Sequence, residues 1–181
     1  MVNYEDRATC PLFGDGAAAV LMEPTEEPVG FVDGVFHVDG SGLEHLVYKA
    51  GGSAHPTTHE TVDAKENCLY QEGRAVYKSA VMDMFNSSKE VMERNNLKIE
   101  DVKWFVPHQA NLRIIEAVGG RLGLSEEQVL VNIQKVGNTS AASIPICLDH
   151  NKGKLKKGDK IVLTAFGAGF TWGASYLIWG M

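Results

Sequence analysis

The sequence has few cysteines, and their spacing excludes two classes of protein. Only 3 of its 181 residues are cysteine. Cys10, Cys68 and Cys147 are widely and irregularly spaced, which fits neither a disulfide framework nor a zinc site. We therefore expect three ordinary thiols in a reducing, cytoplasmic setting. The loop histidines His45, His55 and His59 have no compact set of acidic or cysteine partners in the sequence, so we also expect no metal site.

Long apolar runs and an excess of basic charge are also missing. No run approaches the roughly 18 apolar residues that a membrane helix needs, and residues 1–7 have no apolar signal-peptide core. The formal net charge is −6, and the basic residues are scattered except for a lysine-rich stretch at 152–160. We expect a soluble protein that binds neither a membrane nor nucleic acid.

The composition that is present is that of a folded domain. The chain is 44% apolar and 22% charged and contains 19 glycines, which matches soluble globular averages and argues against disorder. At 181 residues, it fits one compact domain or one half of a larger two-part fold.

Apolar patterning predicts an α/β layered domain with a mixed five-stranded sheet. Residues 13–22 carry glycines around Asp15 and predict strand, turn and strand. Further segments follow: strands at 29–38, 102–106, 160–166 and 174–179, and helices at 73–95 and 109–122. Helices alternate with strands in the second half of the chain. The mixed sheet is expected from that alternation together with a closing strand pair.

Three polar or glycine-rich loops follow strands and can converge on one site. His108 follows a strand that ends at Pro107, Asn138 follows Gly137, and Ala168 lies between two glycines. In an α/β sheet, such loops collect at the carboxyl ends of strands. An imidazole, a carboxamide and a backbone N–H can together stabilise the developing negative charge of a thioester oxygen. Each side chain also has a structural explanation, because a histidine after a strand is often only hydrogen-bonded and an asparagine before a helix is a common N-cap.

These loops and one earlier stretch carry a resemblance to a known family. Residues 13–17, 106–111, 137–145 and 166–173 closely resemble the type III β-ketoacyl-acyl-carrier-protein synthases, thiolase-fold enzymes that start fatty acid synthesis. The four motifs occur in the family's order and span nearly the whole chain from Arg7 onward. Together they are specific, although each alone is a weak signal.

The resemblance implies a fold and a division of the chain. The family's fold stacks two similar α/β halves and forms a homodimer. This sequence matches the C-terminal half, so we expect residues 1–70 to hold the end of the N-terminal half and a connecting loop region. Residues 71–181 are then the C-terminal synthase domain.

The resemblance also implies a Cys-His-Asn mechanism. The family's cysteine takes an acyl group from acyl-coenzyme A, and malonyl-acyl-carrier protein then binds. His108 and Asn138 match the pair that hydrogen-bonds the malonyl thioester oxygen while carbon dioxide leaves, and the Ala168 backbone N–H matches a second oxyanion donor. No cofactor is implied beyond the two thioester substrates.

Further positions match the family's binding residues. Arg7 corresponds to an arginine near the adenine of coenzyme A, and Asn111 to an asparagine at its pantetheine arm. Lys78, Arg113 and Arg121 correspond to basic residues that face the acidic carrier protein. Ordinary helix-surface charge is the alternative explanation for these last three.

The family's nucleophile has no match in this sequence. The resemblance places that cysteine upstream of residues 13–17, and none of the three cysteines substitutes for it, so we expect this chain alone to be inactive. One alternative is a module that only binds coenzyme A or carrier protein, or only dimerises. Another is a related type III polyketide or quinolone-type synthase with different primers.

Overall fold

The computed structural model describes residues 2–181 and contains six strands and five α-helices within them. The strands are β1 (Gly30–Val38), β2 (Leu46–Val47), β3 (Tyr70–Gln71), β4 (Trp104–Pro107), β5 (Lys160–Gly167) and β6 (Thr171–Ile178). The helices are α1 (His59–Asp63), α2 (Gly73–Arg94), α3 (Leu112–Leu122), α4 (Ile133–Val136) and α5 (Ser143–His150). No helix in this described part is both long enough and apolar enough to cross a membrane.

The main sheet is mixed and confirms the predicted α/β class. Its strand order is β1-β6-β5-β4, with β4 and β5 parallel and the other neighbours antiparallel. Four strands form this sheet rather than the expected five. The apolar run that starts at Val129 makes only an isolated parallel bridge to Phe105, whose carbonyl accepts the Leu130 N–H at 2.9 Å.

Helices cover both faces of this sheet. The amphipathic α2 and α3 pack on one face, where α2 contributes Val76, Ala80, Met84 and Val91 at helical spacing. Helix α5 packs on the other face, where Cys147 meets the buried side chains of β4 and β5. The parallel strands β4 and β5 are therefore apolar on both sides, as parallel strands in a layered fold usually are.

The first part of the chain corrects one prediction. Residues 13–22 do not form the expected strand, turn and strand, since only Phe13 makes a bridge, to Asn138. Val20, Leu21 and Met22 are 69%, 84% and 74% exposed. A strand needs a partner with free backbone groups, and within residues 2–181 no strand pairs with residues 14–22.

Candidate active site

A cavity of about 550 Å³ lies where the chain leaves the carboxyl end of β5. Apolar side chains such as Ile144, Leu163 and Trp172 make much of its wall, and His108 and Ser143 are among its few polar groups. Cavities with mainly apolar walls and a few polar groups are the usual form of a small-molecule site. The cavity is therefore the candidate site of this domain.

His108 enters the cavity directly from β4. Its backbone N–H donates to the Thr164 carbonyl at 2.7 Å, which extends the β4–β5 pairing by one residue beyond Pro107. Its Nδ1 lies 2.6 Å from the Ser143 hydroxyl. Burial lowers the pKa of His108 from 6.5 to about 4, because a charged ring loses its hydration there. The imidazole is therefore neutral at pH 7.

The next residue, Gln109, was not predicted as a site residue. Its side chain is fully buried. The amide nitrogen donates to the carbonyls of Pro107 and Leu130 at 2.8 and 3.3 Å, and the amide oxygen accepts from the N–H groups of Asn132 and Ile133 at 2.9 and 3.2 Å. Gln109 thus ties the end of β4 to the segment that leads to Asn138. No local pattern in the sequence indicates this role, because three of the four groups that Gln109 contacts lie 21 to 24 residues away along the chain.

Asn138 is fixed mainly through its backbone. Its N–H donates to the Leu12 carbonyl at 2.8 Å and its carbonyl accepts from Gly14 at 3.0 Å. The side-chain oxygen accepts from the Ser140 N–H at 2.9 Å, so its amide N–H₂ is the part left to act as a donor. The N-cap interpretation is wrong, because α5 starts at Ser143 and Asn138 instead closes a local turn. Ser140 lines the cavity, whereas Asn138 is not among its lining residues.

Two glycines allow this close backbone packing. A Cβ on Gly14 would lie 1.9 Å from the Val136 carbonyl oxygen, far inside any real contact. Gly137 has a φ of +68°, a conformation that favours glycine. Residues 13–16, whose two glycines resemble those of a phosphate-binding loop, therefore pack against the Asn138 loop.

The turn around Ala168 is held from the other side. The N–H of Phe170 donates to the Asp39 carbonyl at 2.6 Å, and the Asp39 N–H donates back at 2.8 Å. The Phe170 ring packs on Phe166 with 4.8 Å between centroids. Gly167 lines the cavity, and the exposed Ala168 is the next residue. Its N–H has no hydrogen-bond partner within residues 2–181.

The predicted binding residues lie outside the cavity wall. Arg7 is exposed in the turns that precede Phe13. The side-chain oxygen of Asn111 caps α3 by accepting from the Arg113 N–H at 2.9 Å. Lys78 on α2 and Arg113 and Arg121 on α3 are exposed and make no ion pair in the described part of the chain.

None of the three cysteines lines the cavity. Cys147 is fully buried, and burial raises its pKa to about 12, so it stays a thiol at neutral pH. Cys10 and Cys68 are half-buried. Across residues 2–181 there is also no group of three or more side chains that is suited to hold a metal ion.

The sheet is mixed and covered on both faces, and polar loops gather at the carboxyl ends of β4 and β5, which agrees with the thiolase-like class that the resemblance implies. Comparisons then identify the family. The family model described as 3-oxoacyl-[acyl-carrier-protein (ACP)] synthase III C terminal matches residues 92–179. The model described as 3-oxoacyl-[acyl-carrier-protein (ACP)] synthase III matches residues 1–40.

Individual relatives agree with the family models. The chain is 62% identical over 177 residues to the β-ketoacyl-[acyl-carrier-protein] synthase III of Porphyromonas gingivalis, covering 98% of this chain and 53% of that protein. It is 57% identical to synthase III 2 of Bacteroides thetaiotaomicron, covering 99% of this chain and 54% of the relative. The crystal structure of 3-oxoacyl-[acyl-carrier-protein] synthase III from Aquifex aeolicus matches with a TM-score of 0.86 at 41% identity, covering 98% of this chain and 54% of that chain.

The chain belongs to the 3-oxoacyl-[acyl-carrier-protein] synthase III family. Members of this family are also called β-ketoacyl-[acyl-carrier-protein] synthase III. It spans about half the length of the curated relatives it matches.

Proposed function

We propose that this chain supplies the condensing groups of a β-ketoacyl-[acyl-carrier-protein] synthase III. The whole protein would join an acyl-coenzyme A primer to malonyl-acyl-carrier protein at the start of fatty acid synthesis. One observation carries the proposal: a neutral His108, anchored through Nδ1, lies in an apolar cavity that the Asn138 loop adjoins. The 62% identity to a synthase of this name supports it.

The chemistry begins with the malonyl thioester. His108 and the Asn138 amide each donate a hydrogen bond to its carbonyl oxygen. The bond to the carboxylate breaks, carbon dioxide leaves, and the electron pair forms an enolate whose negative oxygen these two donors stabilise. A low pKa suits this role, because a neutral ring keeps its N–H while the anion forms and does not protonate the enolate.

The enolate carbon then attacks an acyl thioester held on a cysteine. A carbon–carbon bond forms, and the thiolate leaves. The Ala168 N–H would hold the oxygen of this second thioester. We propose that the rest of the protein supplies the cysteine, because Cys147 is buried with a raised pKa and no other cysteine reaches the cavity. This chain alone is then inactive, and the reaction uses no cofactor beyond its substrates.

The arrangement of the whole protein follows the same proposal. Residues 1–70 complete the other thiolase half and connect it to residues 71–181, and the protein acts as a cytoplasmic homodimer. Exposed apolar side chains at Val20, Leu21 and Met22 fit a segment that pairs with further chain.

Substrate binding uses exposed polar groups. Arg7 would contact the adenine end of coenzyme A and Asn111 the pantetheine arm, through the amide N–H₂ that its capping role leaves unused. Lys78, Arg113 and Arg121 lie on two helices that pack together. Their charges complement an acidic carrier protein, which mainly speeds association.

The test joins this chain to the amino-terminal half of the Porphyromonas gingivalis relative and measures two reactions, condensation with acetyl-coenzyme A and decarboxylation of malonyl-acyl-carrier protein. His108→Ala should lower both rates about 10²–10³-fold, the usual effect of losing an oxyanion donor. His59→Ala is the matched control, since His59 is exposed and makes no side-chain hydrogen bond to the described residues. Wild-type decarboxylation by His108→Ala would contradict the assignment.

Two further measurements separate the alternatives. Intact-mass detection of acyl transfer to a cysteine of the 181-residue chain would contradict its proposed inactivity. A joined protein that binds carrier protein yet condenses no primer would favour the binding-module alternative. Preference for a long primer over acetyl-coenzyme A would favour the polyketide or quinolone type.

A further inference from the structure

The hydroxyl of Ser143 contacts two groups of the His108 loop at once. Its Oγ lies 2.6 Å from His108 Nδ1 and 3.2 Å from the backbone nitrogen of Gln109. Ser143 is only 1% exposed, so bulk water does not compete for these positions. The contact crosses between two elements, because His108 follows β4 and Ser143 is the first residue of α5.

The direction of each hydrogen bond follows from counting protons. The Gln109 N–H can only donate, so it occupies one acceptor position of Oγ. The hydroxyl has a single proton to give. Within residues 2–181, its only hydrogen-bond acceptor is His108 Nδ1. If Nδ1 carried the ring proton instead, the serine proton would be buried without an acceptor, which is the unfavourable outcome for a buried polar group.

We propose that Ser143 is a positioning residue that fixes the tautomer of His108, keeping Nδ1 unprotonated and the ring proton on Nε2. Gln109 completes the arrangement through its backbone N–H, which turns the serine proton toward the imidazole. Nε2 makes no hydrogen bond within the described chain, and His108 lines the cavity. The ring therefore presents an N–H donor, rather than a bare acceptor, to whatever oxygen enters.

The catalytic part of this inference rests on the proposed function, but the tautomer itself does not. Histidine tautomers are set by the partner of the other ring nitrogen. A ring with its proton on Nδ1 would turn a lone pair toward the substrate oxygen and repel the enolate. The side chain that chooses the tautomer thus decides whether His108 can be an oxyanion donor.

The decisive experiment is ¹H–¹⁵N NMR on the ¹⁵N-histidine-labelled chain at pH 7, with His108 assigned by its loss in His108→Asn. We expect the proton on Nε2 in the wild type. In Ser143→Ala, the ratio of Nε2–H to Nδ1–H should fall about five-fold, the effect of one ordinary hydrogen bond. Ser143→Thr, which keeps the hydroxyl, should restore the ratio. A wild-type proton on Nδ1, or an unchanged ratio in Ser143→Ala, would overturn the proposal.

Ser88→Ala is the matched control. Ser88 is also fully buried and donates one hydrogen bond, to the Met84 carbonyl at 2.7 Å, on α2. It should lose stability without moving the His108 tautomer. If it moved the tautomer as much as Ser143→Ala, the effect would be general loosening and the proposal would fail.

A kinetic measurement distinguishes the two proposals. In the joined protein, Ser143→Ala should lower kcat for condensation by at most about five-fold, because the Nε2–H population cannot fall by more than the tautomer ratio does. KM should change little, and the loss should be smaller than that for removing the donor entirely. An Nε2–H tautomer that depends on Ser143 in a protein that never condenses substrates would leave this inference standing and remove only the proposed function.

Discussion

The His108 loop and the Asn138 loop border the same cavity but are held in place by different means. Side chains hold the first: Gln109 fastens its backbone, and Ser143 binds the ring. Backbone contact holds the second, where glycines let residues 12–14 pair with Asn138. The two loops therefore depend on different things. The tautomer of His108 depends on one neighbouring side chain, that of Ser143. The position of Asn138 depends on two chain segments that approach each other without side chains between them.

The largest effect is expected where the backbone contact is closest. Gly14→Ala places a methyl group against the Val136 carbonyl, at a separation of 1.9 Å that neither rigid backbone can relieve. Unfolding in guanidinium should show a loss of about 3–5 kcal/mol, the upper end of the effects of single substitutions. Gly153→Ala is the control, since a Cβ there meets nothing within 4 Å. Equal stability of the two variants would contradict the packing described for this loop.

The His108 loop, which side chains hold in place, should make the protein almost as sensitive to Gln109→Ala, measured as a loss of stability. The variant leaves two carbonyls and two N–H groups without their partner in a fully buried place. We expect a loss of about 3 kcal/mol, because unsatisfied buried polar groups are costly. The control, Gln134→Ala, changes an exposed glutamine and should stay within about 0.5 kcal/mol of wild type. A loss no larger than the control's would mean that the loop does not depend on this side chain.

The contrast between the loops also explains what the sequence could predict. The positions of His108 and Asn138 after apolar runs are local patterns, and so are the periodicity of α2 and the strand character of β1 and β5. The roles of Gln109 and Ser143 are not local. Apart from Pro107, their partners lie 21 to 35 residues away along the chain, and only the packed structure decides which buried polar groups meet.

The error at residues 13–22 has a related cause. Alternating apolar residues and glycines indicate an extended chain, but whether that chain becomes a strand depends on a partner edge elsewhere. Only Phe13 finds such a partner in the described structure, in Asn138. Likewise, the apolar run that starts at Val129 meets Phe105 at a single bridge and adds no further strand to the four-stranded sheet.

A smaller effect is expected on the pH dependence of stability, and it comes from His108 alone of the two loop residues. The pKa of His108 falls from 6.5 to about 4 on burial, so between these values the unfolded chain binds a proton that the folded chain does not. The contribution of His108 to the free energy of unfolding should therefore be greatest above pH 6.5. It should fall as the pH is lowered toward 4 and change no further below pH 4. Between pH 7 and pH 4.5 the expected contribution is about 2 kcal/mol, since each unit of pKa difference corresponds to about 1.4 kcal/mol.

Comparison with a variant that cannot titrate isolates this contribution. His108→Asn should lose less stability than the wild type between pH 7 and pH 4.5, because all other groups titrate alike in both proteins. Denaturant unfolding at the two pH values measures the difference. Parallel losses in the two proteins would show that His108 titrates in the fold as it does in the unfolded chain.

The smallest effect on stability concerns Asn138 itself, and it separates the two ends of one side chain. The amide oxygen closes the turn to Ser140, whereas the amide N–H₂ is the proposed donor to the substrate. Asn138→Ala removes both and should cost about 1 kcal/mol, as the loss of one such hydrogen bond does. Asn138→Ser keeps a short acceptor for the same turn and should cost less. Both variants should lower condensation by the joined protein to the same extent, since neither has the amide N–H₂ and the serine hydroxyl, bonded directly to Cβ, ends one atom short of the amide nitrogen. Activity that followed stability, with Ser intermediate between Ala and Asn, would mean that Asn138 acts only by shaping its loop, and His108 would then be the only side chain of this chain to hold the oxyanion.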